Sequence, residues 1–256
     1  SYTRFLEPKE LNQMRIDTSG ELTGVGIQIV KDKESDDLII ISPIEGTPAY
    51  NSGIKAKDKI LSIDDISTKG MNIDDAVKLI RGERGTKVKL KILRGSKSFY
   101  KVLLREKIEI KSVSSKVNQT KNGLLIGYIR IKQFNANASR ETRDAIKDLE
   151  KKQVVGYVLD LRSNPGGLLE SSIDISRLFI DKGIIVSTLS KDGLKEIRRG
   201  NGQALTKKPL VVLVNEGSAS ASEIVSGAIK DNKRGKLVGK KTFGKGLVQS
   251  MRTLVD

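Results

Sequence analysis

The chain has 256 residues, enough for two domains of ordinary size, and its five tyrosines, five phenylalanines and absent tryptophan indicate aliphatic cores. It contains no cysteine and no histidine, which excludes disulfides, thiolate or imidazole metal sites and any Cys- or His-dependent nucleophile chemistry within the chain. The formal net charge of +16, from 47 Lys+Arg against 31 Asp+Glu, is spread along the whole chain without the aromatic interleaving of a nucleic-acid stacking platform. Solvated lysine-rich faces explain most of this charge, so no nucleic-acid partner is expected, while peripheral contact with an anionic membrane surface stays open.

Residues 1–21 are polar, with a short helical pattern around residues 8–14. The opening Ser1-Tyr2-Thr3-Arg4 carries neither Met nor a secretory signal and suits a mature or trimmed form. No apolar run reaches the length of a membrane span. From 22 to about 107 the pattern is one of short strands. Gly26-Ile27-Gln28-Ile29-Val30 alternates, Leu38-Ile39-Ile40-Ile41 reads as a buried strand, and Pro43 and Gly46-Thr47-Pro48 mark turns. A short helix over 49–53 ends at Gly53, and a strand over 59–63 turns at Asp64-Asp65. Asn72 caps a helix that runs to Ile80 and stops at Gly82. Two alternating strands, 86–93 and 98–104, flank Arg94-Gly95.

Beyond about 108 the period changes. The pattern predicts a strand over 124–131, an amphipathic helix over 138–152 and an apolar strand over 154–159, as expected when both faces of a sheet are covered. Asp160-Leu161-Arg162-Ser163-Asn164-Pro165-Gly166-Gly167 then leads into a helix over 168–180. Strands over 184–189 and 210–214, a helix over 221–230, and strands over 236–238 and 247–254 complete the chain. Strands alternating with helices argue for an α/β half.

The strand 210–214 runs through Asn215-Glu216-Gly217 into Ser218-Ala219-Ser220-Ala221-Ser222-Glu223 and a helix. A serine at such a strand-to-helix turn sits where free N–H groups and the helix dipole favour an oxyanion. The bland alternative is helix capping, for which serine is a leading residue type. Lys245 follows 25 residues after Ser220, between Gly244 and Gly246. In a chain without histidine, lysine is the group that can serve as a neutral base once burial lowers its pKa, so the pair points to a Ser/Lys hydrolase. An ordinary turn lysine is the alternative for Lys245, and a plain strand-to-helix turn is the alternative for Asn164-Pro165-Gly166-Gly167, whose N–H groups could otherwise serve an oxyanion hole.

The ordered motifs together resemble the carboxyl-terminal processing, or tail-specific, serine proteases with an embedded PDZ domain. The likeness runs through Tyr2-Thr3-Arg4-Phe5-Leu6, Gly24-Val25-Gly26, Ile80-Arg81-Gly82, Gly127-Tyr128-Ile129-Arg130, Asp160-Leu161-Arg162, the Ser-Ala-Ser-Ala-Ser-Glu box and Lys241-Thr242-Phe243-Gly244-Lys245-Gly246. The wording is nearest to cyanobacterial and plastid members, which mature a photosystem II reaction-centre protein. The resemblance implies an α/β crotonase/ClpP-like protease core over 108–256, an N-terminal segment over 1–21 packing on it, and an inserted PDZ domain over 22–107, a small β-barrel with two helices. More strands and helices of that core would follow Asp256. By the same resemblance Ser220 is the nucleophile, Lys245 the general base and Gln249 the residue that orients the lysine. Gly166 and Ala221 supply oxyanion-hole amides, and Asp231 matches an acidic position implicated in some members, with a plain helix-end role as the alternative. Gly24, Val25, Gly26 and Ile27 match a PDZ carboxylate loop, though a simple bulge or turn would also use such glycines. The PDZ domain is expected to control access to the cleft. No cofactor or metal is implied. The implied partners are protein substrates with exposed C-terminal tails, and the implied location is exported, in the periplasm or thylakoid lumen. Two competing readings are a non-catalytic PDZ adaptor, against which Ser220, Lys245 and Gln249 together argue, and an anionic-surface binder, suggested by charge alone.

Overall fold

The computed structural model describes residues 6–32, 34–190 and 193–249. The chain divides into two compact units, one from residues 21–110 and the other from the described parts of 1–20 and 111–256. Tyr2-Thr3-Arg4-Phe5 of the N-terminal motif lies outside the described residues.

The 21–110 unit opens with β1 (Glu21–Gly24) and closes with β8 (Glu106–Glu109), paired antiparallel with Gly24 opposite Glu106. The chain therefore enters and leaves the unit on neighbouring strands, and this ladder carries the unit a few residues past the expected span of 22–107. Its main sheet has the order β2 (Ile27–Lys31), β3 (Leu38–Pro43), β4 (Lys59–Ile63), β6 (Lys87–Arg94), β7 (Lys97–Leu104), with β5 (Ile66–Ser67) on β4. β6 illustrates why these sequences form strands. Val88, Leu90 and Ile92 point inward and are fully buried, while the lysines between them face out. Each such side chain contributes about 2 kcal/mol of burial. α2 (Pro48–Asn51) and α3 (Ile73–Ile80) complete the unit, and Asn72 Oδ1 caps α3 by accepting from Asp75 N–H at 2.8 Å.

The other unit begins with α1 (Pro8–Ser19), closed by Gly20 in the left-handed region. Its C-terminal end is held by the Ala136 amide, which donates to Thr18 O at 2.9 Å. A five-stranded sheet has the order β15 (Lys236–Gly239), β14 (Leu210–Val214), β11 (Gly156–Asp160), β10 (Leu125–Ile131), β9 (Val113–Gln119). β10, β11, β14 and β15 run parallel and β9 antiparallel. α4 (Ala138–Lys151), α5 (Leu169–Arg177) and α6 (Ala221–Asp231) contribute Ile146, Leu149, Ile173, Ile175, Val225 and Ile229 to one aliphatic core with the sheet. β12 (Ile184–Leu189) and β13 (Lys195–Arg199) form a separate hairpin. The strand expected over 247–254 is not present at 247–249, and the rest of that span lies outside the described residues. The four parallel strands put their carboxyl ends on one edge, where the segments after 131, 160, 214 and 239 emerge together, the usual place for a site in such sheets.

Candidate active site

Two turns meet at that edge, one after β11 and one after β14. Asn215 Oδ1 accepts from Ser163 N–H at 2.7 Å and Gly217 N–H at 3.1 Å. Ser218, fully buried, donates its hydroxyl to Leu161 O at 2.8 Å and accepts from Asn215 N–H at 3.0 Å. Asn164 O accepts from both Ala219 N–H at 3.0 Å and the Ser222 hydroxyl at 2.9 Å. Of the three serines in the box, Ser218 and Ser222 are thus buried and bonded into the scaffold. Ser220 lies half-buried at the N-cap of α6 with φ 54° and ψ −112°. That is a strained backbone for a residue with a Cβ, worth about 1–3 kcal/mol.

Glu223 joins this turn to the lysine loop. Its Oε2 accepts from Ser220 N–H at 2.8 Å and from Lys245 N–H at 2.9 Å, and its Oε1 accepts from Gly244 N–H at 2.6 Å. Burial pushes the Glu223 carboxyl up, but the Lys245 amide, the Thr242 hydroxyl and the Ser220 and Gly244 amides outweigh it and hold the group below its ordinary value. The loop is also anchored by Lys240 N–H to Val214 O at 3.2 Å and Phe243 N–H to Ser218 O at 3.0 Å. Lys245 Nζ donates to Gln249 Oε1 at 2.7 Å. The backbones of Ser220 and Lys245 are therefore brought together through Glu223, and Gln249 is joined to the lysine amine. Glu223 had no role in the sequence reading, although Ser220-x-x-Glu223 has the spacing of a capping box.

The glycine turn differs from expectation in one respect. Gly166 approaches the Ser220 turn so closely that a Cβ there would lie 3.0 Å from Ser220 Cβ and 2.8 Å from Ala219 O, and its φ is +104°. Only glycine fits. Its N–H, however, is taken by Asn164 Oδ1 at 2.9 Å in an Asx turn, so the oxyanion donor expected at Gly166 is already occupied. Gly166 O accepts from Phe134 N–H at 2.9 Å, and the trans peptide turns the Gly167 N–H away from Phe134. Among the described residues neither the Gly167 N–H nor the Ala221 N–H has a hydrogen-bond partner. Asp231 is not brought to the site. It is exposed at the far end of α6, eleven residues on from Ser220 and so roughly 16 Å along the axis.

Asp160, at the carboxyl end of β11, is fully buried. Burial raises its carboxyl, but the Arg162 and Tyr128 side chains and the Arg162 amide more than reverse this and hold it at about 2. Arg162 Nε and Nη2 bond the two oxygens at 2.9 and 2.7 Å, and the Tyr128 hydroxyl donates to Oδ2. This ion pair braces the strand end from which the Asn164 turn departs. Among the described residues no cluster of acidic side chains is placed to hold a metal, and no helix is long and apolar enough to cross a membrane.

In the 21–110 unit, Gly24 ends β1, Val25 is buried and Ile27 begins β2, the edge strand of its sheet. A Cβ on Gly26, whose φ is +79°, would run into Thr47. The N–H groups of Val25 and Gly26 have no partner among the described residues. An open edge strand beside α3, ending in free amides, can take an added strand and a terminal carboxylate.

A family model described as Peptidase family S41 matches residues 125–256, more than half of the chain. The chain belongs to peptidase family S41. A PDZ domain model matches residues 13–93 ahead of the S41 region. The carboxyl-terminal-processing protease of Synechocystis sp. (strain ATCC 27184 / PCC 6803 / Kazusa) is 44% identical over 257 residues, covering 100% of this chain and 60% of that protein. The carboxy-terminal processing protease CtpA of Bacillus subtilis (strain 168) is 40% identical over 257 residues, covering 100% of this chain and 54% of its own. The S41 chain described here thus spans about three fifths or less of these two relatives. A solved photosystem II D1 C-terminal processing protease is 36% identical and aligns over 97% of this chain and 68% of its own, with a TM-score of 0.56. A putative S41 protease of Bacteroides fragilis NCTC 9343, 17% identical, shares the fold over 96% of this chain and 74% of its own, with a TM-score of 0.50. The fold is therefore mixed α/β, an S41 peptidase fold carrying a PDZ domain.

Proposed function

We propose that the protein is a serine endopeptidase that cleaves protein substrates near their C-termini with a Ser220/Lys245 dyad. The observation that carries this reading is the Glu223 carboxylate, which binds the Ser220 and Lys245 amides through one oxygen and so ties nucleophile turn and lysine loop together. In the reaction Ser220 Oγ attacks the scissile carbonyl while neutral Lys245 Nζ takes its proton. Gln249 orients the amine beforehand through the 2.7 Å bond. The oxyanion is received by the Ala221 N–H at the start of α6 and by the Gly167 N–H, the two unpartnered amides flanking Ser220 and Gly166. Collapse of the tetrahedral intermediate expels the amine, which takes the proton from Lys245, and water then releases the acyl group from Ser220.

The 21–110 unit captures the substrate tail by adding it to β2, with the terminal carboxylate on the Val25 and Gly26 amides. An exported location follows from the likeness to relatives such as the chloroplastic carboxyl-terminal-processing peptidase 2 of Arabidopsis thaliana, 40% identical over 265 residues. The test is hydrolysis of a peptide with a free apolar C-terminus by the complete protein, beside Ser220→Ala and Lys245→Arg. Both variants should fold and be inactive, since one lacks the attacking oxygen and the other cannot become neutral. Wild-type hydrolysis by either would overturn the dyad, and absence of hydrolysis by the unaltered protein would leave the PDZ adaptor as the reading.

A further inference from the structure

The side chain of Asn164 is fully buried beside the nucleophile turn, and every polar group it has is used. Its Nδ2 donates to Ile131 O at 2.9 Å, at the carboxyl end of β10. Its Oδ1 accepts from Gly166 N–H at 2.9 Å. Its own N–H donates to Leu161 O at 3.3 Å, and its carbonyl receives Ala219 N–H and the Ser222 hydroxyl, the residues on either side of the Ser220–Ala221 pair. One residue thus holds the glycine turn, the nucleophile turn and the end of a central strand in a fixed relation.

We propose that Asn164 is the positioning residue of the oxyanion hole, holding the Pro165–Gly166 peptide, from which the Gly166–Gly167 peptide continues, so that the Gly167 N–H faces the developing oxyanion together with the Ala221 N–H. This rests on the reading of Ser220 as nucleophile. The physical argument is one of alternatives. Gly166 and Gly167 have φ of +104° and +142°, regions open to glycine, and two adjacent glycines leave the intervening peptide free to swing. The Phe134 N–H to Gly166 O bond holds that peptide itself, and the Asn164 Oδ1 bond fixes the Pro165–Gly166 peptide before it, so Gly166 is pinned on both sides of its Cα. Asn164 suits this better than aspartate, because the same side chain must donate to Ile131 O and accept from Gly166 N–H, and a carboxylate cannot donate.

The test uses the complete protein with single backbone changes that leave side chains alone. Glycolic acid in place of glycine at 166 replaces only the N–H that Asn164 Oδ1 accepts. It should lower kcat about tenfold with KM unchanged, and weaken a peptide boronate by the same factor while leaving a product peptide's affinity as it was. Glycolic acid at 167 removes the proposed donor and should lower kcat about 100-fold, the size seen for loss of one oxyanion donor. Asn164→Ala should resemble the second case, with thermal denaturation reporting its folding separately. A Gly166 ester with wild-type kcat and boronate affinity would overturn the positioning role. A 100-fold loss at 166 with none at 167 would also overturn it, making Gly166 itself the donor. Failure of the underlying reading looks different, because Ser220→Ala would then still cleave.

Discussion

Replacing Glu223 by glutamine tests whether the Ser220 turn and the Lys245 loop depend on one carboxylate. The wild-type group accepts three backbone N–H bonds, at 2.8 and 2.9 Å on Oε2 and 2.6 Å on Oε1. A glutamine keeps one acceptor oxygen, which can still serve Ser220 and Lys245. Its NH2 must then face the Gly244 N–H, donor against donor. The loss is one charge-assisted bond outright and a weakening of two more, about 2–3 kcal/mol of loop anchoring on the scale of bonds to charged groups. If all of it appears as a smaller population of aligned Ser220 and Lys245, kcat falls about 30- to 150-fold, at 1.36 kcal/mol per decade. KM for a peptide substrate should move little. Global stability should fall by less than the anchoring energy, because the Gly244 amide is exposed and regains water when released. The assay is steady-state hydrolysis of one peptide by wild type and Glu223→Gln, with urea unfolding of both. Wild-type kcat in a folded variant would refute the clamp, and a loss confined to KM would place Glu223 in substrate binding instead.

Asp160 makes a pH prediction. Its folded carboxyl lies at about 2 against about 3.9 when unfolded, so it contributes about 2.5 kcal/mol that is fully present above pH ~4 and lost as pH falls toward 2. The stability gap between wild type and Asp160→Asn, read by urea midpoints at pH 6 and pH 2.5, should therefore shrink on acidification, and a constant gap would contradict the assignment. Ser218→Ala removes the buried bonds to Leu161 O and from Asn215 N–H, which should cost about 1–3 kcal/mol in thermal unfolding while activity survives. For the carboxylate loop, amidating a peptide's C-terminus should weaken its binding to the 21–110 unit at least about tenfold by titration calorimetry, since charge-assisted bonds are worth about 1.5–3 kcal/mol. Equal affinities for free-acid and amidated peptides would mean that the unit does not read the terminus.

What was legible in the sequence follows from where periodicity and punctuation agree. β3, β4, β6, β7, β10, β11 and β14 are apolar or alternating runs bounded by turn residues, α3 carries an Asn72 cap, and α3 and α4 have amphipathic faces, so their patterns sufficed. β9 is Val-Ser-Ser-Lys-Val-Asn-Gln, an edge strand whose side chains are mostly exposed, and β8 is Glu-Lys-Ile-Glu with a single buried residue. Neither has enough inward-facing apolar residues to announce itself, since their backbone bonds to β10 and β1 define them. At the site, residue types could be matched to motifs, but direction could not. That the Gly166 N–H is turned to Asn164 while the Gly167 N–H is left without a partner depends on a peptide orientation that the dipeptide Gly-Gly does not encode. Asp231 illustrates the converse, because its position eleven residues along a continuous helix already separates it from Ser220 by about 16 Å.

Helix capping was the bland alternative for Ser220, which does form a capping box with Glu223, yet its backbone differs from that of the ordinary caps in this chain. An N-cap residue ordinarily takes extended backbone, as Asn72 does before α3 with φ −75° and ψ 160°, and Thr47 before α2 with φ −95° and ψ 164°. Capping alone therefore asks for no strain. Ser220 occupies φ 54° and ψ −112°, at a cost of about 1–3 kcal/mol that Asn72 and Thr47 do not incur. The surroundings hold it there. Asn164 fixes Ala219 and Ser222 on either side, Gly166 lies where any side chain would crowd the Ser220 Cβ, and Glu223 holds the Ser220 amide. A residue held in a strained conformation by its surroundings, where an extended one would cap the helix as well, suits a requirement on the side chain's direction. On the proposed mechanism, attack by Ser220 Oγ on a carbonyl whose oxygen lies at the Ala221 and Gly167 amides would impose such a requirement, whereas helix stability does not.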